Sequence, residues 1–222
     1  LIEKEILKPH LRGGDIKAYT KLKNNEWLIF PYAIKNKKAI IIEPKTLTTD
    51  FPKTFEYLKQ FEKILRDREK GKFNNDYWYQ YSRNQAISVL EQPKLITPEV
   101  CYGGSFTLDL KNFYHNSKCH TLLISEKSEY SYKSILPILN SKLFWFYLSN
   151  SGNVLRGGYI GVKRKVLEPF GLPLLTVENS LIFEKFSDLI LIITKNFEST
   201  LSKFKTYLQQ KFQLEKLSKK LQ

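Results

Sequence analysis

Residues 139–173 read LNSKLFWFYLSNSGNVLRGGYIGVKRKVLEPFGLP, and the rest of the chain is organised around them. Leu143 to Leu148 run without a polar interruption, which predicts a helix buried on every side at the centre of a domain, with Ser134 as its cap. Asn140, Ser141 and Lys142 interrupt the run upstream and leave it too short to cross a bilayer. Ser149 to Asn153 form a polar, glycine-marked break, and Arg156-Gly157-Gly158-Tyr159 follow as a loop. Gly161 to Val166, carrying Lys163, Arg164 and Lys165, reads as a basic strand. A buried element that delivers a glycine-hinged, cationic, aromatic loop is one way to present groups to a polyanion.

Upstream, Trp27 to Ile34 and Ala39 to Ile42 are short apolar runs on either side of Lys35-Asn36-Lys37-Lys38, a candidate hairpin in which Pro31 marks an edge or a bulge. Asp50-Phe51-Pro52 predicts a helix start, with Asp50 as the cap. Phe51, Phe55, Leu58, Phe61 and Leu65 give it one apolar stripe, and Gly71 closes it. Lys94 to Pro98 and Ser105 to Leu108 read as strands around a Tyr102-Gly103-Gly104 turn, and Cys119 to Ser125 as another. Strands and helices mix without βαβ alternation, so the expected class is α+β, with a mainly antiparallel sheet and packed helices.

Beyond Pro173 the character changes, with neither Gly nor Pro from Val177 to Gln222. Phe186, Ile190, Ile193, Phe197, Leu201, Phe204, Leu208 and Phe212 recur at a mean spacing of about 3.7, which predicts one long helix without strong left-handed supercoiling. Residues 178–221, if wholly helical, make a rod of about 66 Å. Such a rod needs a partner surface: another helix, another domain or a second copy. The expected division is residues 1–175 as a folded domain and 176–222 as a helical spacer or interaction segment.

The chain of 222 residues carries 36 Lys and Arg against 22 Asp and Glu, a formal charge of +14. Only +3 of this falls in residues 178–222. An excess of this size favours an anionic partner, nucleic acid above all, although solvated lysine faces give the same count. The two cysteines, Cys101 and Cys119, supply no disulfide framework and point to a reducing cytoplasm. There is no signal peptide or membrane-spanning run. The absence of methionine and the start at Leu1 read as a piece of a longer protein.

Gly13-Gly14, Gly103-Gly104 and Gly157-Gly158 fit no phosphate-cradling motif and can each be a turn. Arg12 and Arg156 precede two of the pairs, where a neighbouring glycine lets backbone approach DNA closely. His115, Cys119, His120 and Cys101 lack the paired spacings of a zinc site, and Cys119 sits in a strand that looks buried, so neither metal binding nor catalysis is expected. Tyr77, Trp78, Tyr79 and Tyr81 can stack on bases or seat a core layer; packing is expected for Trp78 and at least one tyrosine. Arg83, Asn84 and Gln85 have side chains whose geometry suits base edges.

The order LRGGDIKAY at 11–19, FPKTFEYL at 51–58, Trp78-Tyr79 followed by Arg83, PKLITPE at 93–99, LNSKLFWFY at 139–147, RGGYI at 156–160 and Leu172-Pro173-Leu174 resembles the TaqI-like C-terminal specificity domain of type II restriction–modification enzymes. Those enzymes combine an adenine-specific methyltransferase with target recognition and often an endonuclease. The ending at 209–222 is similar to the helical region that follows such domains and to the spacer helices of type I specificity subunits. The resemblance implies a segment that holds double-stranded DNA while a neighbouring methyltransferase domain or subunit flips an adenine into its own pocket. S-adenosylmethionine is then expected in that methyltransferase and no cofactor here, since the catalytic and cofactor-binding motifs of such enzymes are absent from this chain. Phosphate contacts are expected from Lys163, Arg164, Lys165 and Lys94, with Arg12 and Lys17 near the start of the chain. Base reading is expected from loops containing Arg83, Asn84, Tyr102, Ser105, Arg156 and Tyr159. The alternatives are a protein-interaction module that docks a partner subunit or a second copy through the long helix, and RNA binding through exposed aromatics.

Overall fold

A computed structural model describes residues 1–84 and 87–214. In chain order the elements begin with β1 (Leu7–Leu11), a 3₁₀ turn at Gly13–Asp15, β2 (Glu26–Ile29), β3 (Tyr32–Lys35) and β4 (Lys38–Ile41). The short helices α1 (Pro44–Asp50), α2 (Pro52–Lys59), α3 (Glu62–Arg66) and α4 (Arg68–Gly71) follow. Next come β5 (Lys94–Pro98), β6 (Val100–Cys101), β7 (Thr107–Asp109), β8 (Tyr114–His115) and β9 (Cys119–Leu122). The chain continues through α5 (Tyr132–Leu139), α6 (Lys142–Ser151), β10 (Asn153–Val154), β11 (Ile160–Gly161), α7 (Arg164–Leu167) and α8 (Val177–Lys211). The class is α+β, and every strand pair but the parallel β1–β8 is antiparallel. Among the described residues no helix is long and apolar enough to cross a membrane.

The chain divides into two compact units. The first gathers residues Leu1–Leu11, Lys23–Pro93 and Leu110–Asn116. Its sheet runs β2-β1-β8, and β3–β4 form the expected hairpin. Asn36 and Lys37 turn that hairpin with φ of 50° and 60°, the left-handed pair that suits a two-residue connection. Ile6, Leu47, Trp78 and Tyr79 form one buried cluster, and Phe30, Tyr32, Leu90 and Tyr114 another.

The helix expected from Asp50 to Gly71 is broken into α2, α3 and α4. Phe61 leaves helical geometry at φ −109° and stays exposed, so the apolar stripe does not run on to it. Gly71 does close the segment, at φ +82°. Asp50 is no cap; it ends α1, which the sequence reading passed over. The cap comes from Glu3, whose carboxylate accepts from the Lys53 and Thr54 amides at 2.9 Å each and from the Thr54 hydroxyl at 2.6 Å. Burial alone would raise the Glu3 pKa, but these donors hold it down at about 2.

The second unit gathers Arg12–Leu22, Lys94–Asp109 and the chain from Ser117 onwards. Its sheets run β7-β5-β9 and β10-β11-β6, and its core is built from Leu95, Phe106, Leu136, Phe144, Leu148 and Val162. Here too the central stretch differs from expectation. Phe144 and Leu148, one turn apart, are buried, whereas Leu143 and Phe146 are each 68% exposed. The run packs one stripe, not its whole circumference. Ser134 does not cap α6: Ser131 caps α5 in a reciprocal box with Ser134, and the Ser141 hydroxyl accepts from the Phe144 amide to start α6. Of the basic strand expected at 161–166 only Gly161, the end of β11, is strand, after which α7 turns Val166 into the core.

Helix α8 spans 35 residues, about 52 Å at the usual rise, and stops at Lys211, short of the rod to residue 221. Residues 212–214 leave the helix, Gln213 at φ 49°. The remainder of the expected helix lies outside the described residues.

Candidate nucleic-acid interface

The β10–β11 hairpin is set by the end of α6. Gly152 turns the chain out of the helix where a Cβ would meet the Ile160 Cγ2 at 2.5 Å and the Leu148 carbonyl at 2.8 Å, so only glycine fits. Asn153 then pairs with Gly161 and Val154 with Ile160. The tip closes by Leu155 N–H donating to the Tyr159 carbonyl at 2.7 Å. Gly157 and Gly158 take φ of +81° and +77°, a left-handed pair that leaves Arg156 exposed at the apex.

Register explains the aromatic partner. Ile160 lies opposite Cys101, so the residues just outside that pair, Tyr159 and Tyr102, meet with ring centroids 5.8 Å apart. Trp145 of α6 extends the row, 5.7 Å from Tyr102. Gly158 lies beneath Tyr102, where a Cβ would come within 3.4 Å of its ring. Tyr102 is 68% and Tyr159 47% exposed. The Tyr102–Ser105 turn is pinned by Asn140, whose side chain both accepts from the Phe106 amide and donates to its carbonyl at 2.9 Å. Gly104 is obligatory there, since a Cβ would lie 2.5 Å from the Asn140 Cα. Ser105 is half-buried, and its hydroxyl lies within reach of the Gly103 carbonyl, at 3.4 Å, and of the Cys101 thiol.

Cations border this edge. Lys163 is the extended residue that opens α7, and it lines a hollow of about 260 Å³ with Glu99, Lys118, Asn153 and Leu155. Lys118 Nζ stands 3.1 Å from Glu99; sequence reasoning missed it because it lies in a plain turn. Gly13 approaches the Lys118 carbonyl so closely that a Cβ would sit at 3.1 Å, which brings the exposed Arg12 to the same neighbourhood. Lys17 and Lys165 are exposed, and Arg164 is exposed but paired with Glu168 at 2.6 Å.

Lys94 must be withdrawn as a phosphate contact. Its side chain is 0% exposed and its ammonium lies 2.6 Å from Asp109, its partner across β5–β7. Burial pushes the Lys94 pKa down and the Asp109 carboxylate works against that. It is a structural ion pair inside the sheet. The second unit thus brings together Tyr102, Arg156, Tyr159 and Lys163 by direct geometry.

Arg83 and Asn84 belong to the first unit. Both are exposed, and the Arg83 guanidinium is held at 2.8 Å by Glu69. Gln85 lies outside the described residues. The neighbouring aromatics are scaffold: Trp78 and Tyr79 are buried, the Tyr79 hydroxyl donates to the Ile42 carbonyl and that of Tyr81 to the Ile29 carbonyl. Cys101 and Cys119 are buried free thiols whose pKa values burial pushes up to about 11 and about 12, which keeps them protonated and unreactive.

Residues 8–173 match the TaqI-like C-terminal specificity domain. The chain belongs to this family. Two curated relatives agree with the assignment. The type II restriction enzyme and methyltransferase RM.Eco57I of Escherichia coli is 27% identical over 186 residues, 78% of this chain and 19% of the relative. The type II methyltransferase M.BstVI of Geobacillus stearothermophilus is 24% identical over 172 residues, 78% of this chain and 29% of the relative. The chain therefore spans under a third of the length of either relative. The family match ends at Pro173, before α8 begins.

Proposed function

We propose that this TaqI-like specificity domain reads double-stranded DNA for a restriction–modification system, holding the duplex while other domains methylate an adenine and cleave. The observation that carries the reading is the hairpin apex: an exposed Arg156 on two left-handed glycines, flanked by the Tyr102–Tyr159 pair and bordered by Lys163. A protruding guanidinium is the group that best reads guanine in a groove, and flanking lysines hold phosphates without reading sequence. Arg12, Lys17, Lys118 and Lys165 extend the phosphate footprint. Arg83 and Asn84 would contribute only once Arg83 leaves Glu69. In this reading residues 1–175 are the recognition unit and 176–222 the spacer, the protein works in the cytoplasm, and S-adenosylmethionine binds in the methyltransferase part.

Selection from a random duplex library tests this directly. The 222-residue chain should enrich one short sequence and bind it about 10³-fold or more above random duplex, with affinity falling steeply as salt rises. Retention of every duplex alike, or a preference for single-stranded RNA, would sink the reading.

A further inference from the structure

Helix α8 is fastened to its unit along one face only. Ser187 is fully buried and its hydroxyl donates to the Lys133 carbonyl at 2.6 Å. Asp188 pairs with Lys133 at 2.8 Å, Glu184 accepts from the Ser131 hydroxyl, and Leu191 packs on the core. On the nearly opposite face, Ile182, Phe186, Leu189, Ile193, Phe197, Leu201 and Phe204 recur at spacings of 4, 3, 4, 4, 4 and 3. Each is between 37% and 65% exposed. An exposed apolar seam of this length marks a contact surface. Its period is that of a straight helix, so the object that fits along it is a second helix laid into its grooves.

Charge decides which helix. Lys185, between Ile182 and Leu189, and Lys203, four residues before Tyr207, lie on one edge of the seam, and neither has an ion pair among the described residues. Glu178 is the carboxylate at the start of that edge. On the other edge Glu198 and Lys205 offset each other, and both are already engaged within the chain. In an antiparallel pairing of two copies, like edges meet, which sets Lys185 against Lys203 of the other copy. A parallel pairing faces the cationic edge with the balanced one and leaves both lysines uncompensated. Carboxylates facing Lys185 and Lys203 satisfy the surface in full. Beside the first turns of α8, Phe183 helps line an apolar hollow of about 700 Å³ with Leu143, Phe146 and Phe170, able to take a bulky side chain from the same partner.

We propose that the α8 seam docks an amphipathic helix with carboxylate-rich edges, supplied by the catalytic part of the restriction–modification system. The source rests on the function proposed above; the docking chemistry stands on the helix alone. The helix lies beyond the residues that match the family, and the matched relatives carry most of their length outside the aligned segment.

The test uses the 222-residue chain and a synthetic 28-residue helix with leucine at the seam spacing and glutamate on both edges, against the same peptide with lysine edges. The acidic peptide should bind at least tenfold more tightly, and less so as salt rises. Phe197→Asp should abolish binding while circular dichroism and DNA binding stay unchanged. The double variant Lys185→Glu/Lys203→Glu should reverse the preference. Equal binding of both peptides, or of neither, overturns the proposal. So does a chain that sediments at twice 26.2 kDa and is split to monomer by Phe197→Asp, since a second copy then covers the seam. Overlapping peptides tiling the methyltransferase part of RM.Eco57I should contain one acidic-edged binder; a set with none overturns the source. Peptide binding without DNA binding would remove the proposed function, whereas DNA binding without peptide binding would remove only this inference.

Discussion

Two sets of tyrosines, one in each unit, are put to opposite uses. In the first, Tyr77, Tyr79 and Tyr81 spend their hydroxyls on Glu43, the Ile42 carbonyl and the Ile29 carbonyl, and burial pushes the Tyr79 and Tyr81 phenols up. In the second, Tyr102 and Tyr159 turn their rings to solvent on a sheet of two-residue strands. The arginines of the first unit contrast with Arg156 in the same way. Arg66 is held by Glu62, Arg68 by the Trp78 and Gln80 carbonyls, and Arg83 by Glu69. Arg156 stands exposed without an ion pair among the described residues. Where a costly group is buried and its valences are filled, it supports the fold; where the chain spends glycines to hold it in water, it is there to meet something.

The widest test of that division is the buried Lys94. Asp109→Ala should cost about 3–5 kcal/mol in urea unfolding, because it strands the buried Lys94 ammonium. Lys94→Met with Asp109→Leu should recover most of the loss. A cost under about 1 kcal/mol for Asp109→Ala would show that Lys94 is not structural after all. Next in size, Arg156→Ala should weaken the selected DNA site by about 1–3 kcal/mol and leave the unfolding midpoint unchanged. Equal losses on selected and random duplex would make Arg156 a phosphate contact. Tyr79→Phe should lower stability by about 1 kcal/mol without touching DNA affinity, while Tyr159→Phe leaves stability alone. If both variants destabilise alike, the contrast between the units is lost.

Smaller still, Lys163→Ala should reduce the slope of log affinity against log salt by about one unit. An unchanged slope takes Lys163 out of the footprint. The mildest effect is one of pH. The Glu3 carboxylate has a folded pKa of about 2 against an ordinary 4.5. The stability it adds is therefore fully present above pH 4.5 and is lost as the pH falls from there towards 2. Glu3→Gln should separate from the parent protein at neutral pH in thermal unfolding and converge with it in acid; parallel curves would mean that Glu3 does not cap α2.

Periodicity carried the α+β class, the 35–38 hairpin, β5, β9 and the long helix, because each is a local pattern. What failed was set by distant groups. Glu3 reaches α2 from fifty residues upstream, so nothing near Asp50 could reveal the true cap. Lys94 looked like any strand-flanking lysine until β7 brought Asp109 opposite it. The apex at Arg156 was legible because its glycines sit in sequence beside it. Its junction with Tyr102 was not, since that depends on the β6–β11 register, and Lys118 entered only through the close approach of Gly13.

Asn140 stands at the joint between α5 and α6 and exchanges two hydrogen bonds with the Phe106 backbone, the same exchange that a neighbouring strand would make. The loop from Tyr102 to Ser105 is thus closed by a clasp outside itself. Tyr102 and Ser105 are therefore the loop positions whose side chains can change without disturbing that clasp, since Gly103 sits at φ +92° and Gly104 lies against the Asn140 backbone.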